Sequence, residues 1–508
     1  MSEASSGREA EIIPGASTWS RPRPDAWDDP RLFSFDDQFA GLAALGLVKK
    51  RALRAARQDV GFMRDFARTH LRPLVLRTDL AIQENPSRLA SEMLDLAVRH
   101  RLLSRMAPRF LGGESSGVLW SLNPCAEESA AVEPAFQTGV LGGHGLGLAA
   151  LLFTYNFRAL DWVVEKSLAG EASGRPFLID MAITEPGAGT DVEENELLPH
   201  ARLMTSAKNA SHGAILNGRK CFITGAHLAS CHLVAAPFDL RDPAGTMSIF
   251  LVPGDSKGFS LGRLENKMGH KAGPAGELIF DDCFVPEENI VLDARAIPSD
   301  RRDWLVEMVL GLTRIVVGAV GTGVARGAFE IALSFAKNAG WKGRTIISRQ
   351  WAQEVLTDML MEVYKARAVY LEATQVLLTK FIPGETPRLL NNHWAARVYR
   401  HRWSRKIRYS RGLRRLLMWK ESRRPLAERQ RLRFYSSLAK VAGSDAGLEN
   451  CHRALELMGR VGLRHEAGAE KLFRDAKLIQ IFEGTNQLNR LNMFKNFIAR
   501  DIPGLETF

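Results

Sequence analysis

The stretch RDAKLIQIFEGTNQLNR spans residues 474–490. At its centre Glu483 follows the mainly apolar run Leu478-Ile479-Gln480-Ile481-Phe482 and precedes Gly484-Thr485. A carboxylate beside apolar neighbours is costly unless it is paired, protonated or used. One with a raised pKa is a good proton acceptor near neutral pH. Read alone, the stretch is a helix-end glutamate facing water before a glycine stop. The rest of the chain changes that reading.

The chain has 508 residues, enough for two or three domains or one large multilayer unit. Its 45% hydrophobic and 25% charged content is that of a soluble globular protein. The five cysteines, Cys125, Cys221, Cys231, Cys283 and Cys451, form no CxxC pair and are odd in number. That pattern argues against a disulfide framework or a cysteine-based zinc site and suits a reducing compartment; no metal is expected. The polar opening MSEASSGREAEIIPGASTWS lacks the apolar core of a signal peptide, so a cytoplasmic location is expected. FQTGVLGGHGLGLAALLFTYN (136–156) approaches membrane-span length, but its glycines and His144 favour a buried helix.

Residues 1–34 show little periodicity and read as a flexible arm. Apolar residues then recur at helical spacing over 35–178, as in LASEMLDLAVRHRLL. Over 179–295 the texture becomes short apolar runs broken by Gly, Asn, Asp and Pro, such as MSIFLVPG and GELIFDDCFVP, which is the pattern of strands and turns. Helical spacing returns over 296–508. The expected class is therefore α+β, with helices, a β domain and helices again, and no internal repeat.

Five motifs stand in order along this layout: ITEPGAGTDV (183–192), LNGRKCFITG (216–225), KMGHKAGPAGELIFDDCFVPEENIV (267–291), the helix bearing Arg314, and the stretch around Glu483. The first is forced into a loop by Pro186, Gly187 and Gly189, and alone it is equally a surface turn. The second carries an Asn-Gly hairpin turn leading to Phe222-Ile223-Thr224. Together, over roughly residues 50–380 and 434–500, the set resembles the acyl-CoA dehydrogenase family.

The resemblance implies an N-terminal helical domain, a middle β-barrel domain and a C-terminal four-helix bundle. It implies non-covalently bound FAD, a homodimer or homotetramer, a role in fatty acid β-oxidation, and oxidation of acyl-CoA to trans-2-enoyl-CoA. Glu483 then takes the α-proton while the β-hydrogen leaves as hydride. The backbone N–H of Glu483 and a ribityl hydroxyl of FAD would hold the developing enolate oxygen. Some members carry the base just before the helix arginine; here that position is Thr313, so the chain resembles the type with its base at Glu483. The FAD contacts implied are Met181, Ile183, Thr184, Gly189, Thr190, Phe222, Ile223, Thr224, Gln350, Gly459, Thr485 and Gln487. The substrate contacts implied are Thr190, Arg314 on the CoA adenosine side, and Gly484. An electron-transfer flavoprotein is the implied acceptor, with an oxidase using O2 as the variant. Three positions depart from the family pattern: Ala339 stands where an arginine grips the FAD pyrophosphate, Arg460 replaces the second glycine of a Gly-Gly-x-Gly turn that here reads Gly459-Arg460-Val461-Gly462, and Gly311 replaces an aspartate. Lys337, Lys342 or Arg344 would have to supply the missing charge with different geometry.

The net charge of +11 is unevenly spread. Residues 388–433 hold 16 Lys and Arg and 2 acidic residues, a local net of +14, inside an insert at about 382–433. Trp394, Tyr399, Trp403, Tyr409, Leu416, Leu417 and Trp419 interleave with these cations. The segment reads as a helical hairpin packed on the bundle, as a surface for anionic membrane that would place the protein on the inner membrane face, or as a site for nucleic acid or an acidic carrier protein. Intact catalytic motifs make nucleic acid the weaker reading.

Overall fold

The computed structural model of the protein describes residues 50–115, 121–194, 196–297, 304–381, 393–502 and 505. The expected arm at 1–34 and residues 382–392 of the expected insert lie outside the described residues.

The N-terminal region is helical. Its helices include α1 (Lys50–Phe66), α2 (Leu122–Ala130), α3 (Gly143–Phe153) and α4 (Phe157–Ala172). On α1 the buried Ala56, Val60 and Phe66 face inward and leave Arg54, Arg57 and Asp65 exposed.

The middle region runs through β1 (Ile179–Ala182), β2 (Ser206–Ala210), β3 (Gly213–Thr224), β4 (Cys231–Pro237), β5 (Met247–Pro253), β6 (Phe259–Leu264), β7 (Ala275–Pro286) and β8 (Ile290–Leu292). The expected barrel takes the form of two four-stranded sheets, ordered β1-β4-β5-β8 and β2-β3-β7-β6. Among the described residues β1 is laddered to β4, in parallel, and β6 to β7, while the Cys221 N–H donates to the Thr184 carbonyl at 3.0 Å and ties the end of β1 to β3 of the other sheet. Leu216, Val234, Phe250, Leu278 and Phe280, drawn from both sheets, form their shared core.

The C-terminal bundle is built from α5 (Trp304–Asn338), α6 (Gln350–Val376), α10 (Leu426–Met458) and α11 (Ala469–Ile479). Between α6 and α10 the insert folds as α7 (His393–Arg400), α8 (Arg402–Arg408) and α9 (Arg411–Ser422). Two helical stretches, Pro134–Phe153 and Val306–Asn338, are apolar enough to cross a membrane, yet 61% and 83% of their apolar windows are buried within the protein, so both serve as core. The buried-helix expectation for 136–156 agrees with this placement.

α5 and α10 meet at glycines. A Cβ on Gly443 would lie 2.0 Å from the Gly318 carbonyl oxygen, and one on Gly318 would lie 2.5 Å from that of Ala439. A buried ionic knot joins this bundle to the N-terminal region: Arg326 bonds Glu127 at 3.0 Å and Glu128 at 2.6 Å, and the Tyr370 hydroxyl donates to Glu127 at 2.7 Å. Such a knot sets register more than it stabilises, since removing ions from water is expensive.

Replacing Gly443 with Val must push α5 and α10 apart. The expected loss is at least about 2 kcal/mol by chemical denaturation. Gly412, where an added Cβ meets nothing within 4 Å, is the control. Gly412→Ala should be neutral or stabilise by up to about 1 kcal/mol.

Candidate active site

α11 is amphipathic, with Leu472, Ala476 and Ile479 inward, and ends at Gln480. The next helix, α12 (Asn486–Met493), is capped by Thr485, whose hydroxyl accepts from Leu488 N–H at 3.2 Å. The link between them makes a left-handed turn, with φ +57° at Glu483 and +75° at Gly484. A non-glycine residue is strained there, and such strain persists only where the surroundings over-determine it. Here Arg314 Nε donates to the Glu483 carbonyl at 3.2 Å, and Asn489 Nδ2 donates to the carbonyls of Gly484 and Thr485 at 3.0 Å each. Gly484 has no room for a side chain: a Cβ would lie 2.7 Å from Glu193 Oε2 and 3.1 Å from Arg314 Nη2.

The turn aims the Glu483 carboxyl at α5. Thr313 Oγ1 lies 2.6 Å from Glu483 Oε2 and 3.0 Å from the Val309 carbonyl. Its one proton goes to the carboxylate when Glu483 is ionised. Among the described residues no donor reaches Oε1, and the Glu483 N–H donates to no protein acceptor. Burial raises the Glu483 pKa above its ordinary value, and the Thr313 hydrogen bond, Arg314 and Lys440 offset this in part.

Two further groups crowd this carboxyl. Burial pushes Glu193 up to about 7, against the pull of Arg314 and with help from the charge of Glu483. Burial, then Arg314, lowers the fully buried Lys440 to about 7; its Nζ donates to Asn486 Oδ1 at 2.5 Å. Arg314, expected on the adenosine side of CoA, is turned inward instead. It is 2% exposed, bonds Glu193 at 3.1 Å, and lies 3.8 Å from Glu194. Its place makes it a positioning residue for Glu483.

Glu193 and Glu194 end the loop that follows β1, so one loop joins the Glu483 turn to a second surface. Glu185 fixes that loop, accepting from Met204 N–H at 2.6 Å, Thr205 N–H at 3.0 Å and Lys220 Nζ at 2.7 Å, while Lys220 also donates to the Ile183 carbonyl at 2.7 Å. Beside it, β3 bulges between Lys220 and Ile223, and Phe222 takes φ +56°. The bulge turns the Phe222 ring outward, 57% exposed, next to buried Ile223. Met181, Ile183, Thr184, Gly189, Thr190 and Thr224 are part-exposed, and the Thr184 carbonyl accepts from the Cys221 N–H at 3.0 Å, which sets Thr184 beside the bulge. The hydroxyls of Thr184, Thr190 and Thr224 make no hydrogen bond among the described residues. The exposed Phe222 ring, with the unspent hydroxyl of Thr224 on its own strand and that of Thr184 on the adjoining segment, offers a surface to a flat heteroaromatic ring with polar edges, as a flavin presents.

The remaining expected contacts are dispersed. Gln350 and Gly459 sit exposed at the start of α6 and the end of α10, with no hydrogen bond from Gln350 to Phe222 or Glu483; Gln487 is exposed on α12, four residues after Glu483. Ala339 is buried, and Lys337, Lys342 and Arg344 are all exposed beside it, the last two on a two-stranded hairpin with Trp341. Glu193, Glu194, Lys440 and Asn489 escaped the sequence reading. The acidic pair directly after a glycine loop was the one visible signal.

Comparison with known proteins follows the same division of the chain. Residues 180–283 match the model of the acyl-CoA dehydrogenase middle domain, and residues 304–400 and 395–498 match that of the acyl-CoA dehydrogenase C-terminal domain. A probable acyl-CoA dehydrogenase of Mycobacterium leprae is 30% identical over 327 residues, 64% of this chain and 67% of that protein. The mitochondrial short-chain specific acyl-CoA dehydrogenase of Mus musculus is 28% identical over 310 residues, 61% of this chain and 60% of the relative. Among solved structures, the acyl-CoA dehydrogenase of Bacillus anthracis complexed with FAD superposes with a TM-score of 0.65 at 23% identity, over 87% of this chain and 66% of that one.

Removing the Thr313 hydroxyl takes away a donor that favours the ionised carboxylate. Thr313→Val should therefore move the Glu483 titration to higher pH, read by infrared difference titration of its carboxyl band against Glu483→Gln. An unchanged midpoint would mean that the 2.6 Å contact does not hold the carboxylate in solution.

Proposed function

The chain belongs to the acyl-CoA dehydrogenase family, and we propose that it carries out α,β-dehydrogenation of an acyl-CoA thioester with Glu483 as the base. The observation that carries this reading is the state of the Glu483 carboxyl: Oε2 held by Thr313, Oε1 free, and a raised pKa. A thioester α-proton is a poor acid, and a carboxylate made more basic by burial takes it with less penalty. The electron pair of the broken α C–H bond becomes the Cα=Cβ bond, and the β C–H bond leaves with its pair as hydride. FAD, when bound, supplies the two-electron acceptor for that hydride.

The protein's part is positioning. The free N–H of Glu483 offers a donor to the thioester oxygen as it gains charge. Arg314 holds the carbonyl of the same residue, so base and donor move as one unit. Met181, Ile183, Thr184, Gly189, Thr190, Phe222, Ile223 and Thr224 form the face for the flavin ring, and Thr485 and Gln487 approach from the base turn. Gln350 and Gly459, exposed at helix ends, are available to the cofactor of a neighbouring copy, which supports a homodimer or a larger homo-oligomer. Reoxidation by an electron-transfer flavoprotein is the reading consistent with the family, and fatty acid oxidation its setting.

Anaerobic titration of the flavin-loaded protein with acyl-CoAs of increasing length tests this reading. One length class should bleach the oxidised flavin band. Glu483→Gln should keep the flavin and lose the bleaching rate by about 10²–10⁴-fold, the usual worth of a positioned base. In the active protein the rate should fall as pH drops through the raised pKa of Glu483, because only the ionised carboxylate accepts a proton. A flavin-loaded protein that no acyl-CoA reduces, or a Gln variant reduced as fast as the parent, would overturn the assignment.

A further inference from the structure

The insert divides its cations into two sets. The inner set is spent inside the protein. Arg408, Tyr399 and Tyr409 all bond Asp161 of α4, with the tyrosine hydroxyls at 2.8 and 2.6 Å. Arg400 donates to the carbonyls of Arg109 and Phe110, and Arg414 to those of Thr154 and Val291. Arg424 pairs with Glu421 at 2.7 Å, Arg433 pairs with Glu307 at 2.7 Å, and Arg429 also bonds Glu307. These contacts strap the insert to the N-terminal region, to β8 and to the bundle.

The outer set is different. Arg402, Lys406, Arg415 and Lys420 have exposed side chains that form no ion pair or hydrogen bond among the described residues, and Arg423 lies over the Trp419 ring at 4.2 Å. At 3.6 residues per turn, Arg402, Trp403, Lys406 and Ile407 share the outward arc of α8, opposite the buried Ser404 and Arg408. Arg415, Leu416, Trp419, Lys420 and Arg423 share the outward arc at the α9 end, opposite Leu413 and Leu417. Both helices are held rigid at their starts, α8 by His401 and α9 by Ser410. Trp403, Ile407, Leu416 and Trp419 are 53%, 54%, 58% and 49% exposed. Large apolar groups at that exposure, gathered within one short segment, need a partner that removes them from water.

We propose that the outward arcs of α8 and α9 form a docking surface for an anionic phospholipid bilayer. Indole and aliphatic side chains enter the boundary between headgroups and acyl chains, and the flanking Lys and Arg meet the lipid phosphates. The exposed aliphatics decide against nucleic acid: Ile407 and Leu416 gain little from phosphates or base edges and gain directly from hydrocarbon. Tyr399 and Tyr409, which the sequence pattern grouped with the anchors, are tied to Asp161 and take no part. The proposal is independent of the catalytic assignment.

The test uses the full-length protein and sedimentation with vesicles of phosphatidylcholine, with and without phosphatidylglycerol. Binding should appear only with the anionic lipid and weaken with salt, and brominated acyl chains should quench tryptophan emission. Lys406→Ala with Lys420→Ala should weaken binding by about thirtyfold, from about 1 kcal/mol for each surface cation. Trp403→Gln with Trp419→Gln should remove most of the quenching, with both double variants melting as the parent does. Failure to bind anionic vesicles at low salt, equal binding to neutral ones, or unchanged binding by the lysine variant would overturn the proposal. Tighter binding to duplex DNA that survives the tryptophan replacements would reassign the face to nucleic acid. A change of oligomeric state in the same variants would reassign it to contact between copies of this chain.

Discussion

The hydrogen bond from Arg314 Nε to the Glu483 carbonyl is the constraint on which the site depends. It crosses from the core helix of the bundle to a turn that neither flanking helix could hold alone. The turn needs two consecutive left-handed residues, one of them a glutamate, and such a conformation persists only under external restraint. Arg314 supplies that restraint, and its other arm reaches Glu193 at the end of the loop from β1. The Glu483 turn, the loop from β1 and the bundle thus meet at one buried guanidinium.

The same crowding sets the electrostatics. Glu193, Glu483, Arg314 and Lys440 lie close together where water is scarce, so each charge depends on the others. Burial raises both carboxyls and lowers the lysine, and it places Glu193 and Lys440 near neutrality. A cluster poised in this way can take up a proton without importing a counter-ion. Glu193, Glu194, Arg314 and Lys440 are the charged surroundings of Glu483.

The insert shows how little a charge count says about a surface. Its +14 reads in sequence as one basic stripe. Folded, it is a strap whose inner arginines are consumed by Asp161, Glu307 and backbone carbonyls, and whose outer cations stand beside exposed tryptophan, isoleucine and leucine. Neighbouring residues on one helix, such as Trp403 and Ser404, meet opposite environments because successive side chains point about 100° apart.

Much of the protein was legible in its sequence, for reasons local to the chain. Period and turn residues separated helices from strands, and an apolar run ending in Glu-Gly-Thr marked the carboxylate, because each of these signals lies within a few residues. The Phe222-Ile223-Thr224 edge was visible as well, though not the bulge that turns Phe222 outward, which arises from a register shift against β7. What tertiary structure alone decided is which distant residues share a site. Thr313, found only as the place where a base is missing, became the donor to Glu483 across 170 positions of sequence. Arg314, read as a substrate contact, lies buried against the Glu483 turn, and the middle β domain is built from two four-stranded sheets. Local spacing encodes the elements; burial, pairing and pKa belong to contacts between elements, and those exist only once the chain has closed on itself.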